Sequence, residues 1–397
     1  MTSGGFGEVV SAFSAPPTRP IDPGTPARVT VLGSGVEGRV LAAWFLAEGA
    51  GSVRLFTVYS DELDALSRGS ITLRGEGPIG TFRVGGDPPN IEATSVLDTA
   101  ISGADLIVIS GPVLKQRTYA LVMAPYIHDG QVLAVIPGRT FGGLELLHTI
   151  RTGGSLADFR IVEFDDLPFD IEDSGSVITL SRRRGPRVSV LPHAATSTID
   201  RLRPFFPDLV AMPTILDTSL GADPPTVEVP TLLLGGPANP TDVRPLPAGA
   251  VPISPVTFRG LIGPAHRRLI SEMAAERRAV AKAFGVRDLP DDDAWFDRIA
   301  GAEDGDGVRA VPSPDAAAAL IRNGVLGSLE PLMSAAEAAG VSAPVTRSVI
   351  AVAEVAMGTD LSARTLDRIG LGGRDANQVR ALLMKDPLHL GQKSDAP

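Results

Sequence analysis

A chain of 397 residues is longer than one hydrophobic core usually serves, and with 44% hydrophobic and 21% charged residues it is expected to fold as two domains. Forty-six acidic against 36 basic side chains give a formal net charge of −10, which argues against a nucleic-acid partner because a phosphate backbone attracts cationic surfaces. The absence of cysteine rules out disulfides, thiolate metal sites and cysteine nucleophiles, and five scattered histidines leave no cluster for structural zinc.

Residues 1–27 read as a disordered, polar, proline-rich leader, since no apolar core follows a basic start as it does in a signal peptide. No apolar run approaches the roughly 20 residues that cross a bilayer, so no membrane association is expected and the location expected is the cytoplasm. The first folded element is Val29-Thr30-Val31-Leu32, a β-branched run suited to a buried parallel strand, and Gly33-Ser34-Gly35-Val36-Glu37-Gly38 follows at once. Arg39 to Glu48 then carries apolar residues on one helical face. Strand, GxGxxG turn and helix in that order define a dinucleotide-binding start. Gly33 permits the tight turn, Gly35 clears the approach of a pyrophosphate, and Gly38 lets helix and strand pack closely. The helix amides face the phosphates. A merely structural turn is the competing reading, and the second strand at Ser52 to Phe56 weighs against it.

The cofactor expected is NADP or NAD. An NAD site usually carries an acid at the end of the second strand, whereas Phe56-Thr57-Val58-Tyr59-Ser60 offers none before Asp61. With Arg54 and Arg68 in the neighbourhood, the balance tilts to NADP, and Thr57 is read as a cofactor contact. Ile71-Thr72-Leu73 and Gly80 to Val84 suggest an inserted hairpin. Two further strands end at Gly111-Pro112 and at Pro137-Gly138-Arg139, and the carboxyl ends of parallel strands line ligand crevices. Gly111, Pro112, Pro137, Gly138 and Arg139 are therefore cofactor candidates, with Arg139 either meeting an anion or serving as an exposed turn residue. Asp165-Asp166 follows another strand, and Asp166 is either a substrate contact or a solvated turn acid. Ser176 to Leu180 and Arg187 to Leu191 read as strands of a hairpin whose end, Arg182-Arg183-Arg184, is exposed.

Gly33 to Gly38, Ala104 to Pro112, Asp129-Gly130-Gln131, Pro137 to Glu145, Glu163 to Pro168 and Thr218-Ser219-Leu220 together resemble the octopine/nopaline (opine) dehydrogenase family, over approximately Arg28 to Gly372. The resemblance implies an N-terminal nicotinamide-binding domain, a helical second domain, and reductive condensation of an amino acid with an oxo acid in an interdomain cleft. It also implies a catalytic histidine in an Asn-x-x-x-His-Pro-like segment and an acidic partner. Here that alignment places Glu228 or Val229 at the histidine position, before Pro230, and Asn323 or Gly324 at the acidic one. The chain is thus read as a divergent member lacking both. Glu228 is the candidate acid/base, against the alternative of an exposed glutamate, and His266 the other candidate, against that of a helix-start surface histidine. Asn323 takes the place of the acid. Thr218 and Ser219 are candidate substrate contacts.

From Leu261 onwards the spacing predicts helices over Leu261 to Phe284, around Trp295, from Ala316, over Leu329 to Ala339 and over Pro344 to Met357. The architecture expected is an α/β, Rossmann-type nicotinamide-binding domain over residues 28–213, followed by a mainly α-helical substrate and dimerisation domain over 214–386 and a flexible tail over 387–397. The function expected is an NAD(P)-dependent oxidoreductase reducing an imine or carbonyl derived from an amino acid and a 2-oxo acid, with a homodimer as the expected assembly. The alternatives are a reductase of another small carbonyl or preformed imine, and a nucleotide-binding regulatory or structural protein that has lost catalysis.

Overall fold

A computed structural model of the chain describes residues 26–385 apart from 87–89, 176, 182, 222–223, 236–256, 288, 290–291, 304, 306 and 363. The leader expected over 1–27, save its last two residues, and the tail expected over 387–397 lie outside the described residues. The architecture is a Rossmann-type α/β fold followed by a largely helical region. Contacts group the chain into two compact units, one containing Gly138–Glu145 together with the chain from Thr214, the other the rest.

The first unit is built in chain order from β1 (Arg28–Leu32), α1 (Val36–Ala47), β2 (Ser52–Phe56), α2 (Ser60–Ser67), β3 (Ser70–Gly75), β4 (Gly80–Arg83), β5 (Ile91–Thr94), α3 (Leu97–Ile101), β6 (Leu106–Ser110), α4 (Val113–Met123) and β7 (Val132–Ile136). After α5 (Gly142–Thr152), which begins in the other unit, come β8 (Arg160–Phe164), β9 (Asp170–Asp173), β10 (Val177–Ser181), β11 (Arg187–Leu191), α6 (Ser197–Asp200) and β12 (Val210–Ala211). Eight strands form the main sheet in the order β12-β11-β8-β7-β6-β1-β2-β5. Every neighbouring pair is parallel except β11 with β8. The all-apolar runs of β6 and β7 are buried at every position, as strands covered on both faces require. Strand order reverses at β1, which lies between β2 and β6, and that reversal opens the crevice in which doubly wound sheets bind ligands.

Two expectations change here. The hairpin β3–β4 forms, in antiparallel register from Ser70 opposite Arg83, but it is half of a second, four-stranded sheet, β4-β3-β10-β9. β10 and β11 lie in different sheets and do not make a hairpin. Of the basic residues between them, Arg182 lies outside the described residues, Arg183 is exposed as expected, and Arg184 is half-buried. Arg183 pairs with Asp208 and sits over the Trp44 ring, while Arg184 pairs with Asp170 at 3.0 Å. The acids that bind them are too distant in sequence to be paired by local pattern.

Both faces of α1 are buried. Trp44 and Phe45 anchor a cluster with Phe164, Phe169, Phe205 and Phe206, and the indole N–H of Trp44 donates to the Phe205 carbonyl at 2.9 Å. From Val40 to Ala47 the helix is uniformly apolar and wholly buried, while Glu37 and Arg39 of its first turn keep partial exposure.

The second unit contains α7 (Ile215–Leu220), α8 (Pro224–Gly235), α9 (Pro264–Ala283), α10 (Asp292–Ala300), α11 (Pro314–Gly324), a π-helical turn (Val325–Leu329), α12 (Glu330–Ala339), α13 (Pro344–Met357) and α14 (Ala376–Lys385). The helices expected from Leu261 onwards all form, with ends displaced by a few residues. Thr214 caps α7 by a reciprocal box with Asp217. The Glu276 carboxylate of α9 caps α13 from across the bundle, accepting from the Val345 and Thr346 amides and the Thr346 hydroxyl. No helix among the described residues is long and apolar enough to cross a membrane.

Candidate active site

At the nucleotide end of the first unit, each glycine of the turn meets a separate demand. Gly33 has φ +122° and a Cβ there would sit 2.8 Å from the Ser110 carbonyl oxygen. A Cβ on Gly38 would sit 1.7 Å from the Gly33 oxygen. A Cβ on Gly35 would meet nothing within 4 Å, at the N-cap of α1 where amides face outward. The space beside Gly35 is thus open, and a turn of this form could hold the phosphates of a dinucleotide. Gly111, at φ +99°, also borders open space, and Pro112 caps α4.

Three residues that sequence reasoning missed shape this end. Gln116 of α4 donates its amide to both the Gly111 and Pro137 carbonyls, at 3.1 and 3.0 Å, and so ties the β6 and β7 ends together. Ser110 ends β6 with a buried hydroxyl that has no hydrogen-bond partner among the described residues. Such an orphan is costly unless a ligand pairs it. Glu62 of α2 folds back on the glycine turn. Its Oε2 accepts from the Thr57 hydroxyl at 2.8 Å and from the Ser34 hydroxyl. Thr57 itself is buried. An acid therefore does stand at the end of β2, carried by the next helix and so outside the stretch that sequence reasoning inspected. Of the expected basic partners, Arg54 is engaged by Glu92 and by the Thr99 and Ser102 carbonyls, and Arg68 donates to the Asp64 carbonyl. Asp166 is ion-paired with Arg184 at 3.6 Å, and its neighbour Asp165 binds Arg187 at 2.7 Å. These acids are half-buried or buried pairing groups rather than solvated turn acids.

In the second unit the segment after Pro137 is held by a buried ion pair. Arg364, with no exposed surface, donates to Glu145 at 2.7 Å and to the Gly138 and Thr140 carbonyls at 2.9 and 3.0 Å. The Thr140 amide donates to the Gly327 carbonyl of the π-turn. Arg139 and Phe141 take left-handed conformations, with φ of 58° and 63°. Arg139 is 8% exposed and has neither ion pair nor side-chain hydrogen bond among the described residues. The exposed-turn reading of Arg139 fails on that burial. Arg139 is thus a mostly covered cation without a partner among the described residues, an arrangement that suits an anionic ligand.

Glu228 lies in α8, 5% exposed. One carboxylate oxygen binds Arg309 at 2.5 Å, and the other is buried without a partner. Arg309 in turn lies over the Phe258 ring, 4.2 Å from its centroid. The exposed-glutamate alternative is therefore excluded. His266 is placed otherwise. Its Nδ1 accepts from the Gly263 amide at 3.3 Å and caps α9, and its ring edge packs against Gly235. Asn323 is half-buried on α11, with no side-chain hydrogen bond among the described residues. The next residue, Gly324, is where α11 meets Val229 of α8, since a Cβ there would lie 2.8 Å from a Val229 methyl. Thr218 is fully buried and donates to the Ile215 carbonyl at 3.1 Å. Ser219 is fully buried as well. Ser328, one residue beyond Gly327, has a buried hydroxyl without a partner, in a π-turn of the kind frequent at functional sites. No group of metal-ligating side chains occurs among the described residues.

A parallel sheet that reverses order beside a GxGxxG turn, with a helical region following, defines the Rossmann-type class of dinucleotide-binding proteins. The chain is similar to opine dehydrogenase of Arthrobacter sp. (strain 1C), at 26% identity over 368 residues, 88% of this chain and 97% of that protein. It is also similar to octopine dehydrogenase of Pecten maximus, at 24% over 181 residues, 44% of this chain and 45% of that one. The fold matches octopine dehydrogenase solved with NADH and L-arginine, with a TM-score of 0.65 at 18% identity over 94% of this chain and 99% of that chain. It matches NADP⁺-bound yersinopine dehydrogenase with a TM-score of 0.60 at 13% identity, over 92% and 99%. No protein-family model matches the chain.

Proposed function

We propose that the protein is a nicotinamide-dependent oxidoreductase that reduces an imine or carbonyl derived from an amino acid and a 2-oxo acid. The observation that carries this reading is the open cradle at Gly35, framed by Gly33, Gly38 and the orphan Ser110 hydroxyl, in a chain similar along 88% of its length to an opine dehydrogenase. The same similarity supports a reductive dehydrogenase activity in general, and the finer substrate pairing is part of the proposal.

Ser34 to Gly38, Thr57, Gly111, Pro112 and Ser110 would hold the dinucleotide, which supplies a hydride to the electrophilic carbon when bound. Arg139 anchors a substrate carboxylate, since it is a mostly covered cation with no counter-ion among the described residues. Glu228 controls the proton on substrate nitrogen or oxygen through its unpaired carboxylate oxygen, while Arg309 fixes the other oxygen and so the carboxylate plane. Asn323 and the Ser328 hydroxyl stand as hydrogen-bonding groups for the polar end of the substrate, with Thr218 and Ser219 supporting them. Asp166 serves through its pairing with Arg184, holding the loop after β8.

NADH and NADPH oxidation measured with pyruvate, 2-oxoglutarate and glyoxylate, each with a panel of amino acids, tests the reading. Turnover that requires both an amine and an oxo acid is expected. Turnover with an oxo acid alone would shift the assignment to simple carbonyl reduction, and tight dinucleotide binding without turnover anywhere in the panel would leave a regulatory protein. In the active combination, Glu228→Gln is expected to lower kcat about a hundredfold or more and to flatten its pH profile while leaving dinucleotide affinity intact. Normal turnover and pH response would remove Glu228 from the mechanism.

A further inference from the structure

We infer that Glu62 reads the adenosine ribose, so that the protein selects NAD over its 2′-phosphorylated counterpart. The inference rests on the dinucleotide reading above and reverses the preference that the β2 sequence suggests.

Three observations place Glu62 there. First, its Oε2 is shared by Ser34, inside the glycine turn, and Thr57, the first residue after β2. A carboxylate held by both lies between the turn that takes the pyrophosphate and the strand end where the acid of an NAD site stands. Second, the partners are themselves fixed. Thr57 is buried, its amide donates to the Thr94 carbonyl at 3.1 Å, and its hydroxyl oxygen accepts from the Tyr59 amide at 3.2 Å. The carboxylate is therefore oriented before any ligand arrives. Third, Oε1 accepts no hydrogen bond from the described residues, which leaves it for the vicinal 2′- and 3′-hydroxyls of a ribose.

The surrounding charges point the same way. Asp61 adjoins Glu62 in the first turn of α2. Arg54 and Arg68 are committed to the partners named above. Lys115 also stands near this strand end, its ammonium 5.1 Å from the centre of the Tyr59 ring. Burial, with Tyr59 and Glu62 adding to it, pushes the Tyr119 phenol up. A 2′-phosphate brought to Oε1 would face that charge, and like charges at contact are strongly disfavoured.

The test is equilibrium titration of the full chain with NADH and NADPH, followed by nicotinamide fluorescence or calorimetry, so that no turnover is needed. Wild-type protein is expected to bind NADH at least about tenfold more tightly than NADPH. Glu62→Gln is expected to weaken NADH and strengthen NADPH until the two affinities approach each other. Ser34→Ala loosens the carboxylate without removing it, and should weaken NADH while NADPH stays rejected. Lys115→Ala should leave the ratio unchanged. Wild-type preference for NADPH, an unchanged ratio in Glu62→Gln, or loss of NADPH binding in Lys115→Ala would each overturn the inference while sparing the dinucleotide reading. Failure of both dinucleotides to bind wild-type protein would remove both.

Discussion

Gly35 and Gly38 stand three residues apart in one turn, and an added methyl group has opposite consequences at the two. At Gly35 the backbone has φ −60°, which any residue accepts, and the new Cβ enters open space. Gly35→Ala is therefore expected to change stability by no more than about 0.5 kcal/mol and to weaken dinucleotide binding by about tenfold or more, which is 1.4 kcal/mol. At Gly38 the Cβ would sit 1.7 Å from a backbone oxygen. The β1–α1 packing must move, so Gly38→Ala should cost about 1–3 kcal/mol of stability before any ligand is added. Thermal melts and NADH titrations of the two variants separate these effects. A Gly35→Ala protein as destabilised as Gly38→Ala would mean that Gly35 serves packing rather than a ligand. Both glycines were legible in the sequence because their demands arise within six consecutive residues. Glu62 was not, since only the backward fold of α2 brings its carboxylate to Thr57 and Ser34.

Among the elements, legibility follows the range of the interactions. The order of strands and helices could be read from apolar period, because burial on two faces writes itself as runs such as Leu106–Ser110 and burial on one face as a 3.6-residue stripe. Sheet membership could not. β10 and β11 are neighbours in sequence, yet one pairs with β3 and the other with β8. The segment from Gly138 to Glu145 shows the same limit. Its glycines announce a loop, but what fixes it is Arg364, more than two hundred residues away, buried against Glu145 and two carbonyls. Arg364→Met takes the guanidinium away from the buried Glu145 carboxylate, so unfolding in urea should show a loss of about 3–5 kcal/mol. Replacing both partners removes the buried carboxylate as well, and an Arg364→Met, Glu145→Leu double variant should regain most of that loss. If the single variant unfolds like wild type, the ion pair is not what holds the segment.

Across the whole molecule the net charge of −10 means that acid relieves general repulsion among carboxylates, against which two sites should stand out with opposite signs. Burial, reinforced chiefly by Glu354 and opposed by Arg347, raises the pKa of Glu330 at the start of α12. A group with a raised folded-state pKa stabilises the fold below its unfolded value and loses that contribution as pH rises through the folded value. Asp105 behaves in the reverse sense. Burial opposes its ionisation, but hydrogen bonds from the Arg28 guanidinium and from the Arg28 and Ala27 amides outweigh that and hold its pKa below the ordinary range. Its contribution is present above the unfolded value and is lost as pH falls through the folded one. Melting temperatures followed from about pH 2 to pH 8 should therefore diverge in two directions, Asp105 acting below about pH 4 and Glu330 above it. Glu330→Gln should match wild type near pH 4 and become the more stable protein towards neutrality. Asp105→Asn should be the less stable at neutrality and approach wild type on acidification. Parallel curves for Glu330→Gln and wild type across that range would show that its carboxyl titrates alike in the folded and unfolded chains, and the same outcome for Asp105→Asn would remove the stabilising role of the Arg28 pair at the edge of β1.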